Sequence, residues 1–93
     1  DFDILEPSCG DGVFLEQLKV LKLKYNSITA IEFDEIEAQK ADKIVLKNKQ
    51  IINDDFHTYC NNTSQRFDLV VGNPPYIRYQ FFKMLVGYRY ILI

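Results

Sequence analysis

The 93-residue chain has no tryptophan, one histidine, one methionine and two cysteines. Two cysteines, Cys9 and Cys60, cannot build a disulfide framework, and no Cys/His cluster has the spacing of a metal site. A reducing, cytoplasmic setting without a metal is the expectation. His57 is the sole imidazole and falls in a polar stretch, so histidine-centred acid–base chemistry is not expected. Gly-Lys-Ser/Thr does not occur, which excludes a P-loop. Long hydrophobic runs are missing too. The most apolar stretch, Phe81 to Ile93, is interrupted by Lys83 and Arg89 and is too short to span a bilayer. Neither a signal peptide nor a membrane partner is expected. With a net charge of −2, the chain has no bulk attraction for nucleic acid.

What is present belongs to a globular protein: 47% apolar and 26% charged residues. The length allows one small domain, burying roughly 60–65% of the surface that its unfolded chain exposes. Charge is uneven. Residues 1–72 hold eight Lys/Arg against thirteen Asp/Glu, whereas residues 73–93 hold Arg78, Lys83 and Arg89 and no acid. The chain starts at Asp1 beside an apolar run and ends in Tyr90-Ile91-Leu92-Ile93 without a stop signal, so a piece of a larger protein is expected.

Asn73-Pro74-Pro75-Tyr76 follows the apolar run Phe67 to Gly72, which reads as a buried strand. Two prolines remove two backbone donors and fix two φ angles. The Asn73 side-chain oxygen and the Pro74 carbonyl are then free to face a ligand, with the Tyr76 ring beside them. Two acceptors and a flat aromatic suit a planar group bearing an NH2. The plainer alternative is a turn that ends a strand.

Phe2 to Leu5 reads as the first strand, followed by the turn-rich Glu6-Pro7-Ser8-Cys9-Gly10-Asp11-Gly12. Apolar residues at 14, 18, 21 and 25 predict a helix over Val13 to Tyr25. Strand, glycine loop and helix form the opening unit of a nucleotide-binding α/β fold. Gly10 and Gly12 let a ligand approach the backbone closely, and the helix N-terminus offers free amides. Ser27 to Phe33 reads as the second strand, with Glu32 placed to hold two ribose hydroxyls. Asp34 and Glu37 form a capping-box pattern for a helix from Glu35 to Leu46. Gln50 to Asn53 is a short third strand. Asp54-Asp55-Phe56 follows in what reads as a loop, where a carboxylate could accept from an adenine amino group and Phe56 could pack on the ring; an ordinary solvated loop is the alternative. Strand–helix–strand–helix–strand–loop–strand predicts a mostly parallel sheet with right-handed crossovers.

Gly10-Asp11-Gly12 begins a dinucleotide fingerprint, but the third glycine would fall at Leu15. A cofactor with ribose, adenine and a small carboxylate-bearing arm, and no phosphates, fits better. Glu6 to Leu15, Ile31-Glu32-Phe33-Asp34, Asp54-Asp55-Phe56 and Asn73-Pro74-Pro75-Tyr76-Ile77-Arg78-Tyr79 together resemble the adenine-N6 DNA methyltransferases of restriction–modification systems. The resemblance covers residues 1 to about 80. It implies a Rossmann-like, S-adenosylmethionine-dependent fold, here partial, with about four parallel strands. It also implies that Glu6 and the Gly10–Gly12 loop lie along the methionine part of the cofactor. Glu32 would hold the ribose, Asp55 the adenine amino group, and Phe56 the ring. Asn73, Pro74 and Tyr76 would be catalytic, and Pro75, Tyr76 and Arg78 would meet a target adenine flipped out of DNA.

Residues 1–80 are thus expected to be a partial catalytic domain and residues 81–93 an apolar tail. The family's upstream helix, later strands and DNA-reading region have no counterpart here, and the residues after Gln80 do not match it. The isolated chain is therefore expected to be inactive alone, as a truncated or frame-shifted remnant would be. Asn-Pro-Pro-Tyr also occurs in methyltransferases acting on protein glutamine and on RNA bases. Glu6-Pro7-Ser8-Cys9 favours DNA over these. The third reading is a non-catalytic remnant.

Overall fold

The structure is a computed structural model, and it describes residues 2–7, 9–22 and 24–71. Its elements are β1 (Phe2–Glu6), α1 (Val13–Leu21), β2 (Tyr25–Glu32), α2 (Glu35–Asp42), β3 (Lys49–Asn53), α3 (Phe56–Asn62) and β4 (Leu69–Val70). The four strands form one sheet in the order β3-β2-β1-β4, and every pairing is parallel. The partial Rossmann-like fold expected from the sequence is the fold observed.

Side chains alternate across a strand, and here the alternation feeds two cores. Ile4, Ile28 and Ala30 face Leu15 and Leu18 of α1 and Ala41 of α2. Leu5, Ile31 and Val70 face Phe56, Tyr59 and Cys60 of α3. Both faces of the sheet are covered, as an all-parallel sheet requires. Fully burying one of these Leu or Ile side chains contributes about 1.5–3 kcal/mol.

The strands run outward from β1 through β2 to β3, and the chain then returns to place β4 on the other side of β1. The strand order therefore reverses between β1 and β4. Open α/β sheets bind ligands at such a reversal, beyond the carboxyl ends of the strands.

Several boundaries differ from expectation. α1 stops at Leu21, because Lys22 turns left-handed (φ 52°) and its N–H closes on the Lys19 carbonyl. Tyr25 instead begins β2, and its hydroxyl donates to the Lys47 carbonyl. α2 stops at Asp42 rather than Leu46. There the Lys49 ammonium, arriving from β3, donates to the carbonyls of Ala41, Asp42 and Ile44 and satisfies that helix end. The Asp54–Asp55–Phe56 stretch does not open a loop but starts α3. Phe56, Tyr59 and Cys60 stand at helical spacing and bury one face, and Asp55 caps the N-terminus. β4 is two residues long, although Phe67 before it and Val71 after it are also buried. The predicted tail, 81–93, lies outside the described residues.

Candidate functional site

Glu6 ends β1 and is 1% exposed. Beyond it the chain folds back over the end of β2. The Cys9 amide donates to the Ile31 carbonyl at 2.9 Å, and the Gly12 amide closes a turn on the Cys9 carbonyl at 2.9 Å. The Gly10 amide donates to Glu32 Oε1 at 2.8 Å. The other oxygen of Glu32 accepts from the Asp34 amide, also at 2.8 Å.

The two glycines do different work. Gly10 is left-handed (φ 55°), and among the described residues nothing stands within 4 Å of where a Cβ would be. That open side can take a ligand. Gly12 (φ 103°) is the N-cap of α1, and a Cβ there would collide with the Ile44 side chain and come within 3.4 Å of Ala41 Cα. Its smallness serves the packing of α1 on the end of α2.

Glu32 ends β2 opposite Asn53 of β3. Its own carbonyl accepts from the Asp54 amide and from Asn53 Nδ2, which also reaches the Phe33 carbonyl. Asp34 caps α2 through bonds from the Ile36 and Glu37 amides, as expected. The reciprocal half of the capping box is replaced, since the Asp34 amide is held by Glu32. Asp55 caps α3, with Oδ2 accepting from both the amide and the hydroxyl of Thr58. Among the described residues its Oδ1 has no hydrogen bond. Phe56 is 7% exposed and packs in the α3 core. Phe33 carried no assignment from sequence, yet it is 76% exposed directly after Glu32. The signal available was an aromatic beside an acid at a strand end.

Glu6, Gly10, Glu32 and Asp55 thus gather at the carboxyl edge of β1, β2 and β3. The Val71 amide donates to the Leu5 carbonyl at 2.9 Å and fixes the end of β4 beside β1. Asn73, Pro74, Pro75, Tyr76 and Arg78 follow in sequence and lie outside the described residues.

The charge of this edge is negative. Burial first, and then the carboxylates of Glu6 and Glu32, push the Cys9 thiol up to about 12. Burial and Asp55 push the Cys60 thiol up to about 11. Neither thiol is a nucleophile at neutral pH. Among the described residues, open backbone at Gly10 and a carboxylate at the end of β2 stand together at this edge.

The family described as Eco57I restriction-modification methylase matches residues 13–90. The chain is 39% identical over 74 residues to Type II methyltransferase M.CvrRI of Paramecium bursaria Chlorella virus XZ-6E, covering 80% of this chain and 18% of that protein. It is 36% identical over 77 residues to Type II methyltransferase M.HincII of Haemophilus influenzae, covering 83% and 13%. A tRNA1(Val) (adenine(37)-N6)-methyltransferase of Haemophilus influenzae is 35% identical over 79 residues, covering 80% and 34%. The chain therefore spans less than a fifth of the two type II enzymes. Among solved structures, the putative methyltransferase yhhF from Escherichia coli superposes with a TM-score of 0.71 at 20% identity, covering 100% of this chain and 55% of that one. The plantazolicin methyltransferase BamL, in complex with a triazolic desmethylPZN analog and SAH, gives 0.64 at 18% identity, covering 76% and 26%. These two likenesses show the fold.

Proposed function

The chain belongs to the Eco57I restriction-modification methylase family, and from that premise we propose that it is the cofactor-binding part of an enzyme that methylates the N6 amino group of adenine in DNA. The observation that carries the reading is the meeting of Glu6, the open Gly10 backbone and Glu32 beside the β1/β4 reversal. S-adenosylmethionine would supply an electrophilic methyl group on a sulfonium.

Glu6 and the Gly10–Gly12 loop lie along its methionine arm, and Glu32 accepts from its ribose hydroxyls. Asp55 Oδ1 accepts from the adenine amino group. Phe33 offers an exposed ring face next to Glu32, and the buried Phe56 supports the floor. Asn73 and the Pro74 carbonyl accept the two N–H bonds of the target amine. That amine is a weak nucleophile, because its lone pair is delocalised into the ring. Holding both hydrogens favours a pyramidal nitrogen with its lone pair aimed in line at the methyl group. No strong base is required. Tyr76 stacks on the target base once it has left the duplex, and stacking offsets about 1–3 kcal/mol of the unstacking cost. Pro75 and Arg78 line the substrate side.

The similarity to a tRNA adenine-N6 methyltransferase favours one second reading, in which the same chemistry acts on RNA. The chain, and any longer protein that carries it, is incubated with labelled S-adenosylmethionine and with DNA, tRNA or a glutamine-bearing protein in parallel. Label on DNA adenine is the expected result, and Asn73→Ala should reduce it by on the order of a hundredfold. Label on tRNA alone moves the substrate to RNA. Label on protein glutamine overturns adenine as the target. The 93-residue chain by itself is expected to bind cofactor without turnover.

A further inference from the structure

Glu32 makes two contacts that a ribose ligand does not need. Oε1 takes the Gly10 amide and Oε2 the Asp34 amide, each at 2.8 Å. One carboxylate thus ties the β1–α1 loop to the β2–α2 loop across twenty-two positions of sequence. Among the described residues, the tie is the outer of two between these loops. The Cys9 amide is fixed to the Ile31 carbonyl, and the Gly10 amide adds a second anchor directly beside the loop's open side. Bonds of this kind, with an ionised acceptor, are about twice as strong as neutral ones. Each carboxylate oxygen has two lone pairs, so accepting from a hydroxyl does not require releasing either amide.

We infer that Glu32 is a positioning residue for the glycine loop as well as a ribose ligand, and that it couples the two halves of the cofactor site. The inference rests on the cofactor reading above. The side-chain geometry that meets the ribose is the same one that presents the Gly10 backbone to the methionine arm. A ligand on one half therefore pre-orders the other.

The test compares S-adenosylhomocysteine with 5′-methylthioadenosine, which has the same nucleoside and sulfur but no amino-acid arm. In the wild-type chain their affinity ratio measures what the arm contributes. Glu32→Gln keeps the size of the side chain but leaves one oxygen and adds an NH2 that cannot accept from an amide. If Glu32 only held the ribose, both compounds would weaken by one factor and the ratio would stay. The expected result is that S-adenosylhomocysteine weakens more, so that the ratio falls roughly tenfold. A second measurement needs no variant. Saturating the wild-type chain with 5′-methylthioadenosine should shift the Gly10 amide resonance, although that compound has no arm to reach the loop. An unchanged ratio, or an unmoved Gly10 signal in the saturated complex, overturns the coupling and leaves the cofactor reading standing. Failure of both compounds to bind the wild-type chain overturns the cofactor reading and the coupling with it.

Discussion

At the scale of single residues, the two glycines of the turn after β1 separate into one with an open side, proposed to face the cofactor, and one that packs. Gly10→Ala adopts an accessible left-handed conformation at a cost of about 1–2 kcal/mol, and its new methyl group points into open space. Gly12→Ala places a Cβ at φ 103° against Ile44, at a cost of about 1–3 kcal/mol before repacking. The expected outcome is that Gly12→Ala lowers the melting temperature more, while Gly10→Ala weakens S-adenosylhomocysteine more; titration calorimetry and a melt on each variant check this. The thiols make a second residue-scale prediction. Folding raises both the Cys9 and the Cys60 value, so their contribution to stability is complete below the ordinary thiol range. It is lost as pH climbs towards about 12 for Cys9 and about 11 for Cys60. Denaturant midpoints should fall with rising pH across that window, and Cys9→Ala should flatten the fall. A slope that Cys9→Ala leaves unchanged would show that this thiol is not the source.

At the scale of elements, α3 shows how one residue can serve a helix and a site at once. Asp55 caps α3 with one oxygen and is proposed to meet adenine with the other. Asp55→Ser keeps a capping oxygen and removes the charge, so stability should change by only a few tenths of a kcal/mol. Asp55→Ala loses the cap and should cost about 1 kcal/mol. If the adenine assignment holds, both variants weaken nucleoside binding while only the second lowers the melt. The helix was legible in its parts: Asp55 is a strong N-cap residue, and 56, 59 and 60 share a face. It read as a loop because seven residues, three of them polar enough for a turn, give a weak periodic signal. Packing on Leu5 and Ile31 decides for helix, since a helix this short is not stable in water without a tertiary partner. The end of α2 was illegible for a different reason. Its stop depends on Lys49, which comes from the next strand and caps three carbonyls from outside the helix.

At the scale of the whole molecule, the sheet places the proposed ligand groups on one edge and its two cores on opposite faces. A ligand that binds only the folded state stabilises it, by about 2.7 kcal/mol at a hundredfold excess over Kd. A thermal melt of the chain with S-adenosylmethionine should therefore rise, and the rise should vanish in Glu32→Ala. A cooperative melt without a shift would mean a folded domain that lacks a working cofactor site. Leu15→Ala, in the core between α1, α2 and the sheet, should cost about 2–5 kcal/mol by opening a cavity, measured as a lower denaturant midpoint.

The amino-acid sequence by itself determined the four strands and the first two helices in order, the parallel sheet, and the placing of Glu6, Gly10, Glu32 and Asp55 at or just after strand ends. These follow from local periodicity, turn chemistry and caps, which act between near neighbours in the chain. Only the tertiary structure decided that Gly12 packs where Gly10 is open, that residues 56–62 form a helix against Leu5 and Ile31, and that Glu32 holds two loops together. Those outcomes depend on contacts between residues twenty or more positions apart, such as Gly12 with Ile44 and Gly10 with Glu32, and no local pattern encodes which neighbour will arrive.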